Sequence, residues 1–453
     1  MGIAIPILLI CFTCLLIWRA CDGFEVASRY IGRNLSEGVR GGTINAISSS
    51  IPEFATTLIG LLVLSDTDGF AIGLGTTAGS ALFNGMIIPA ACIFTAIGAV
   101  IAGVRVGSVN VSTKVLLRDG LALIGCEFVL ILIINGESLH WWQGLVLIAM
   151  YAVYFALMLV TMRRGVGEED LSTAGENEVI DPQADDEPSD DGASDGELSD
   201  ADAFSGEHVD PPGPLSRLVY WASLGPLLDL ESFFVGDKQR EQIRNETWNG
   251  WPLLITATTV IGVACFGLVK SCEWLGTGTP ADPAYELFGR SFVGIGMPPM
   301  FVAVIFASMA TSVPDTIMSI RDSREGDYDD AVANALGSNI FDICFALGFP
   351  LFLFTLINGP IRLAPEVAQQ SGQLRLLLLG LTVLGFLVYY IGRRGTTPQG
   401  TRYVEMRRGK AMLLLVIYAV FVVYILGRAY NWPATQRVSE MMDRMLNMLP
   451  MIS

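Results

Sequence analysis

The sequence predicts an all-α membrane protein of about ten transmembrane helices, arranged as two inverted repeats of five helices each. Hydrophobic residues occupy 52% of the 453 positions. They fall in apolar blocks of roughly 17 to 25 residues, the length that an α-helix needs to cross about 30 Å of hydrocarbon. The blocks come as five, then a long polar break, then five more.

The individual spans follow from hydropathy. The first apolar run, Ile3 to Ile17, lacks a basic leading segment and a small-residue cleavage pattern, so we expect a transmembrane span and not a removable signal. The predicted spans lie near residues 3–19, 40–64, 70–102, 113–134, 141–162, 249–271, 294–320, 327–357, 373–392 and 408–428.

The polar break divides the chain into a first repeat (1–162), an acidic loop (163–248) and a second repeat (249–453). The net charge of −17 arises in the loop, because the stretch from Gly165 to Pro211 holds 17 acidic residues and no Lys or Arg. Such a stretch cannot bury enough apolar surface to order itself, so we expect it to be disordered.

The second part of the loop, residues 214–248, has a different pattern. Polar residues there alternate with apolar ones, which indicates an amphipathic helix at the membrane interface or a helix buried within the loop. The apolar residues of this pattern are Leu227, Leu228, Leu230, Phe233 and Phe234.

The distribution of Lys and Arg predicts the orientation. About fifteen of them lie in the connections after spans one, three, seven and nine, against about four in the opposite connections. We therefore expect the N-terminus outside and the acidic loop in the cytoplasm, in a plasma membrane or a bacterial inner membrane. Since each half has an odd number of spans, the halves would be inverted relative to each other, a common plan of secondary transporters.

One motif occurs in both halves. In each half, a span with two hydroxyl residues, an apolar residue, proline and a carboxylate precedes a span with Gly-Ser, an aromatic residue and an amide or acid. The matching runs are Ser49, Ser50, Ile51, Pro52, Glu53 with Thr311, Ser312, Val313, Pro314, Asp315, and Gly79 to Asn84 with Gly337 to Asp342.

The duplicated motif predicts an ion site. A carboxylate inside a membrane helix costs at least about 2.5 to 3.5 kcal/mol, so it is a functional-site hypothesis by default. Pro52 and Pro314 lack an N–H, which should free carbonyls and unwind both helices locally. A lone Ser or Pro is explained by helix packing, but two matched carboxylates favour ion binding. The i,i+4 pairs that share a helix face are Ser49 with Glu53, Thr311 with Asp315, Ser80 with Asn84, and Ser338 with Asp342.

The available ligands select a hard cation. The chain has only two histidines, so a bound metal must be held mainly by oxygen. Calcium takes six to eight oxygens, and Glu53 with Asp315 would neutralise its charge. The same oxygens could hold several Na⁺ instead, and this competition is a physical basis for exchange. We expect Ca²⁺, Na⁺ and the lipid bilayer as partners, with no cofactor and no nucleic acid; the sequence identifies no protein partner.

At these positions the sequence resembles the calcium/cation antiporter superfamily, and within it the sodium/calcium exchangers with their alpha-1 and alpha-2 repeats. The resemblance covers about residues 41–90 and 302–350. It implies that Glu53 and Asp315 are the central calcium ligands and that the first and sixth spans slide across the site. It also implies sodium or hydroxyl contacts from Ser49, Ser50, Thr311, Ser312, Ser80, Asn84, Ser338 and Asp342, with the carbonyls of Ala46 and Ser308 as further candidates.

The coupling ion has three alternatives. Proton-coupled calcium exchangers that resemble this chain usually have Gly-Asn-Ala before the acid, and neither repeat does, which favours sodium. Asp342 is a third carboxylate that could stay protonated or recruit another cation. Exchangers that co-transport potassium resemble this sequence in having Asp there, so potassium-dependent exchange is the second alternative.

Other classes of protein fit less well. An intramembrane aspartyl protease could use Asp315 and Asp342, but its Gly-x-Gly-Asp motif is missing, and the nearest run, Gly294 to Met297, has no acid. A receptor or scaffold would not need matched carboxylate sites. A channel is possible in principle, yet inverted repeats with interrupted helices favour alternating access.

Overall fold

The computed structural model describes residues 2–31, 46–64, 66–101, 104–174, 221, 225–278, 283–287, 289–397 and 400–449, and it is mostly helical. The helices of the first half are α1 (Ala4–Ile31), α2 (Ala46–Val63), α3 (Asp66–Ala96), α4 (Thr113–Ile133) and α5 (Trp141–Ala174). Short helices α6 (Gly225–Leu228), α7 (Leu230–Phe234) and α8 (Asp237–Arg244) follow. The second half contains α9 (Trp251–Gly276), α10 (Pro299–Val302), α11 (Ser308–Thr311), α12 (Val313–Glu325), α13 (Tyr328–Phe341), α14 (Gly348–Asn358), α15 (Pro365–Tyr390), α16 (Arg408–Ala429) and α17 (Pro433–Leu446).

Two π-helical turns complete the second half. Ala303–Ala307 joins α10 to α11, and Asp342–Ala346 joins α13 to α14. Seven of the described helical segments are long and apolar enough to cross a membrane, and the bent segment from Pro299 to Glu325 makes an eighth. Helix α2 is shorter, and α4 carries four charged residues, Lys114, Arg118, Asp119 and Glu127.

Several element boundaries differ from the sequence-based expectation. Helix α1 continues to Ile31, well beyond residue 19, and α5 continues to Ala174, into the stretch expected to be disordered. Hydropathy ends a span where polar residues begin, but the helical backbone persists past that point. The helix of the third predicted span ends at Ala96, because strand Val100–Ile101 follows it and pairs with strand Val104–Arg105.

Within the segment 214–248, where an interfacial helix was expected, the described residues 225–248 form three short helices, α6 to α8. A small apolar cluster holds this region against the ends of α1 and α9, and the Tyr30 hydroxyl accepts a 2.9 Å hydrogen bond from the Trp248 amide. Packing onto these ends divides the segment, so an amphipathic pattern alone did not set its length. Residues 175–220, including most of the acidic stretch, lie outside the described part of the chain.

The helices pack around a centre formed by α2, α3 and the segments from α10 to α14. Helix α3 contacts α2, α12, α13 and α16, while α5 packs on α14, α4 on α15, and α1 on α9. Helix α17 was not predicted as an element; it packs on α15 and α16. Most of the buried apolar side chains form one continuous core across both halves.

Short antiparallel strands join the connections at the helix ends. Strand β9 (Arg402–Met406) pairs with β3 (Val109–Ser112) and with β8 (Arg394–Thr396). Strand β4 (Ser138–Leu139) pairs with β7 (Ile361–Arg362). Two further antiparallel pairs are β1 (Val100–Ile101) with β2 (Val104–Arg105), and β5 (Tyr285–Leu287) with β6 (Arg290–Phe292).

Candidate cation-binding site

The predicted ligands meet at the centre of the helix bundle. Helix α2 carries Glu53, α3 carries Ser80 and Asn84, α12 carries Asp315, and α13 with its π-helical turn carries Ser338 and Asp342. The side chains of this set are buried, with exposures of 0 to 1%. The buried side chains are Ser49, Ser50, Glu53, Ser80, Asn84, Ser308, Thr311, Ser312, Asp315, Ser338 and Asp342.

The hydroxyl of Ser80 links the two halves. Its Oγ lies 3.1 Å from Glu53 Oε1 and 3.1 Å from Asp342 Oδ2. It also lies 2.9 Å from Ser312 Oγ. Because one hydroxyl has one proton to donate, Ser80 cannot satisfy both carboxylates at once. Two acids from opposite halves therefore compete for a single donor.

Asn84 forms the second link. Its Nδ2 donates to Asp315 Oδ2 at 2.9 Å, with further contacts of 3.2 Å to Ser338 Oγ and 3.3 Å to Ser80 Oγ. An amide on α3 thus faces the acid on α12. Together, the two links place all three carboxylates in one hydrogen-bonded group with hydroxyl and amide side chains.

The hydroxyl pairs of the motif cross between the halves. Ser49 lies beside the Asp315 carboxylate, and Thr311, its counterpart, lies beside Glu53. Ser50 lies beside Asp342, although its hydroxyl forms no hydrogen bond with a described residue. Each half therefore supplies hydroxyls to the acid of the other half.

The two carbonyl candidates differ in what the structure shows. The Ser308 carbonyl accepts from the Ser312 amide at 2.9 Å and from Thr311 Oγ1 at 3.2 Å, so it is already hydrogen-bonded in this conformation. Ala46 is the first residue of α2, two turns before Glu53, and its role as a ligand stays a prediction.

Only one of the two prolines interrupts its helix. Helices α11 and α12 meet at Ser312 with a bend of 44°, and Pro314 follows in the first turn of α12. The expected unwinding is wrong for Pro52, because α2 is continuous from Ala46 to Val63. Packing of α2 against α3 and α9 keeps the backbone helical on both sides of Pro52. The π-helical turns, which are frequent at functional sites, also occur only in the second half of the described chain.

A glycine brings α3 close to the interrupted segment. A Cβ on Gly79 would meet the Val304 carbonyl oxygen and would lie 2.7 Å from the Ser308 side chain. The absence of a side chain at Gly79 lets the backbone of α3 approach the π-helical turn. This approach sets the position of the neighbouring Ser80.

The site has more acceptor oxygens than donors. Glu53 Oε2, Asp315 Oδ1, Asp342 Oδ1 and Asn84 Oδ1 are buried without a hydrogen-bond partner among the described residues. Buried oxygens of this kind are costly unless a proton or a cation occupies the site. No three acidic, His or Cys side chains of the described chain stand close enough to hold a metal by themselves, so a cation here needs hydroxyl, amide or carbonyl oxygens as well.

Two polar residues near the site were not among the predicted ligands. Asn339 donates to the Ala81 carbonyl at 2.9 Å, and Ala81 is its counterpart in the first repeat. Glu127 on α4 is fully buried outside the carboxylate group and accepts a 2.7 Å hydrogen bond from Thr382. Its position in an apolar block was a signal that could have singled it out, although it has no counterpart in the repeat motif.

The fold and the site define an integral membrane protein with a buried, oxygen-rich site suited to cations. The profile of the family described as "Sodium/calcium exchanger protein" matches residues 5–160 and 249–427, and the chain belongs to this family. It is therefore a cation/calcium antiporter by family and not an enzyme, which sets the protease alternative aside.

Named relatives and a solved structure are consistent with this assignment. The chain is 25% identical to human sodium/potassium/calcium exchanger 5 over 410 residues, covering 82% of this chain and 74% of the relative. It is 24% identical to mouse sodium/potassium/calcium exchanger 4, covering 91% and 79% of the two chains. The crystal structure of the H⁺/Ca²⁺ exchanger CAX shares the fold with a TM-score of 0.51 at 11% identity, over 97% of this chain and 92% of that one.

Proposed function

We propose that this protein exchanges Ca²⁺ for Na⁺ across a membrane by alternating access at the buried carboxylate group. The observation that carries the proposal is the connection of Glu53, Asp315 and Asp342, from both halves, through Ser80 and Asn84. Hard cations prefer such oxygens, and buried carboxylates are costly unless a bound cation compensates their charge.

Glu53 and Asp315 act in this proposal as the central calcium ligands. They balance the two charges of Ca²⁺, and hydroxyls beside them complete the coordination. Sodium ions would use the same oxygens, so loading with Na⁺ displaces Ca²⁺. The contacts assigned to Na⁺ are the hydroxyl or amide side chains of Ser49, Ser50, Thr311, Ser312, Ser80, Asn84 and Ser338 and the carboxylate of Asp342, with the Ala46 and Ser308 carbonyls as further candidates.

Ten spans in two inverted repeats are the architecture that we infer. The helix contacts support it, because α3 packs on α16 while α5 packs on α14, which are equivalent pairs if the halves are exchanged. The strands follow the same rule. The β3–β9 pair joins the third connection of the first half to the fourth connection of the second half, and the β4–β7 pair joins the fourth connection of the first half to the third of the second. The repeats would be residues 1–162 and 249–453.

The inferred orientation follows the excess of Lys and Arg. The β3–β9 connections are on the basic side, so we infer that they and the acidic loop lie in the cytoplasm and that the N-terminus lies outside. We infer that the membrane is a plasma membrane or a bacterial inner membrane. Sliding of α1 and α9, which pack against each other, would then open the site to one side at a time.

Potassium-dependent exchange is the second candidate function. Three buried carboxylates carry three negative charges, and one Ca²⁺ with one K⁺ would neutralise them. The relatives named above are sodium/potassium/calcium exchangers, which adds support. Proton coupling is the third candidate.

The test is calcium uptake into proteoliposomes loaded with sodium, with an outward sodium gradient. Wild type is compared with Glu53→Gln and Asp315→Asn. Glu127→Gln is the matched control, since it removes a buried membrane carboxyl that lies outside the carboxylate group.

We expect sodium-driven uptake in wild type and in the control, and its loss in both site variants. Uptake that follows an imposed proton gradient but ignores sodium would reject sodium coupling. Equal activity of the Glu53 and Glu127 variants would reject the assigned ligands while leaving exchange itself intact.

A further inference from the structure

An open basic pocket lies outside the carboxylate group, where the ends of α3 and α16 meet. Its volume is about 510 Å³, and its lining includes Arg105, Arg407 and Arg408. The remaining lining comes from the turn after α3 and from the first residues of α16, among them Ile97, Gly98 and Gly409. Three guanidinium groups around one cavity are suited to a phosphate group.

The charge in this pocket is only partly balanced. Glu405 pairs with Arg407 at 2.7 Å. Arg408 donates to the Ile97 carbonyl at 3.2 Å, a neutral partner, so it keeps its charge for another ligand. Arg105 is exposed and forms no ion pair within the described part of the chain. One carboxylate therefore faces three cations.

The backbone adds to the attraction for an anion. Helix α16 begins at Arg408, and the first amides of a helix have no partner within the helix. The helix dipole favours a negative charge at this end. Gly98 has a φ of +100°, which turns the chain after α3 so that Val106 O accepts from the Gly98 amide at 2.9 Å. This turn brings Arg105 to the start of α16.

The position of the pocket indicates whether the phosphate belongs to a lipid or to a soluble molecule. The apolar span Thr67–Ala96 ends one residue before Ile97, and the span Arg408–Ala429 begins in the pocket itself. Phe94, Met412 and Leu413 are exposed apolar side chains on these helices, close to the pocket in sequence. Both span ends and the apolar surface beside them are those expected of a pocket at headgroup level.

We propose that this pocket binds the phosphate of an anionic membrane phospholipid. The inference is independent of the transported ions, because it uses none of the residues of the carboxylate group. A single Arg near an anionic membrane surface changes lipid affinity by about fivefold.

The experiment measures binding of phosphatidylglycerol and of phosphatidylcholine to the full chain in neutral detergent, by native mass spectrometry. The variants are Arg105→Gln and Arg408→Gln. Arg402→Gln is the matched control, because Arg402 is an exposed arginine on β9 that does not line the pocket. Arg105→Gln removes no hydrogen bond of the described chain, so it tests the pocket even if Arg408→Gln fails to fold.

We expect wild type to retain phosphatidylglycerol over phosphatidylcholine, and Arg105→Gln to weaken this binding about fivefold while Arg402→Gln leaves it unchanged. An equal loss in the Arg402 variant would mean general surface attraction and would overturn the proposal. So would unchanged binding in Arg105→Gln. If inorganic phosphate at millimolar concentration displaces the lipid completely, the site takes a soluble anion and the lipid assignment fails.

Discussion

The side-chain amide of Asn84 donates a 2.9 Å hydrogen bond to Asp315, across the boundary between the two halves. The equivalent position in the second half is Asp342, which shares the Ser80 hydroxyl with Glu53. One side of the site therefore pairs an amide with an acid, and the other brings two acids to a single donor. This difference makes the site asymmetric in charge although the motif is duplicated.

Replacing Asn84 with Asp should destabilise the protein in the absence of calcium. The change turns the donor to Asp315 into a second acid at hydrogen-bond distance, with no cationic partner nearby. An uncompensated buried charge costs about 3 to 5 kcal/mol. The measurement is thermal unfolding in detergent with and without calcium.

Asn110→Asp is the control for this change, because Asn110 is an exposed residue of strand β3, and it should leave the unfolding midpoint unaltered. If both variants unfold at the same temperature as wild type, Asn84 is not a needed donor to Asp315.

Asp342→Asn should remove any stimulation of calcium uptake by potassium while leaving sodium-driven uptake in place. The variant has two carboxylates in the site instead of three, so Ca²⁺ alone neutralises them. Uptake is measured in proteoliposomes with and without potassium. Asp237→Asn, exposed on α8, is the matched control. If potassium stimulates calcium uptake equally in both variants, Asp342 is not required for the stimulation and the prediction is wrong.

Calcium should stabilise the folded protein, and a chelator should reverse the effect. The unpartnered buried carboxylate oxygens gain a ligand when calcium binds. At a calcium concentration about 100 times the Kd, binding to the folded state adds about 2.7 kcal/mol. The unfolding midpoint should rise with calcium in wild type and in Glu127→Gln, but not in Glu53→Gln. A rise of equal size in the Glu53 variant would place calcium binding elsewhere.

Gly79→Ala should weaken both stability and transport. The added methyl would overlap the Val304 carbonyl and press on Ser308, and overpacking of this kind costs about 1 to 3 kcal/mol. It would also displace Ser80, the residue that joins two carboxylates. Thermal unfolding and calcium uptake are measured together.

Gly125→Ala on α4 serves as the comparison, because a Cβ there meets nothing within 4 Å. It should stabilise the helix by about 0.5 to 1 kcal/mol, as alanine does relative to glycine. If Gly79→Ala behaves like Gly125→Ala, the close approach of α3 is not required.

The sequence predicted the class of fold and most of the side chains that meet at the centre of the bundle, and it did so for a physical reason. A membrane forces each span to be a long apolar helix, so hydropathy alone located most of the helices. Carboxylates are costly in such helices, so Glu53 and Asp315 stood out, and their repetition pointed to one shared site. The family resemblance derived from these residues agrees with the family match over residues 5–160 and 249–427.

The helix boundaries and the helix interruptions could not be predicted from the local sequence in the same way. Pro52 and Pro314 occupy the same place in the motif, yet only the second half bends, at Ser312, and only that half has π-helical turns within the described chain. The local sequence shows only which backbone hydrogen bond is lost at a proline, because proline has no N–H. Neighbouring helices determine whether the backbone bends in response.

By itself, the sequence determined that this chain is a membrane protein with a duplicated carboxylate motif, because these properties depend on local composition and spacing. The tertiary structure decided which groups share a donor: Ser80 with Glu53 and Asp342, and Asn84 with Asp315. It also created the basic pocket at the start of α16, which both Arg105 and Arg408 line although 303 positions separate them in the chain. Contacts between distant segments arise from helix packing, which no local pattern of residues specifies.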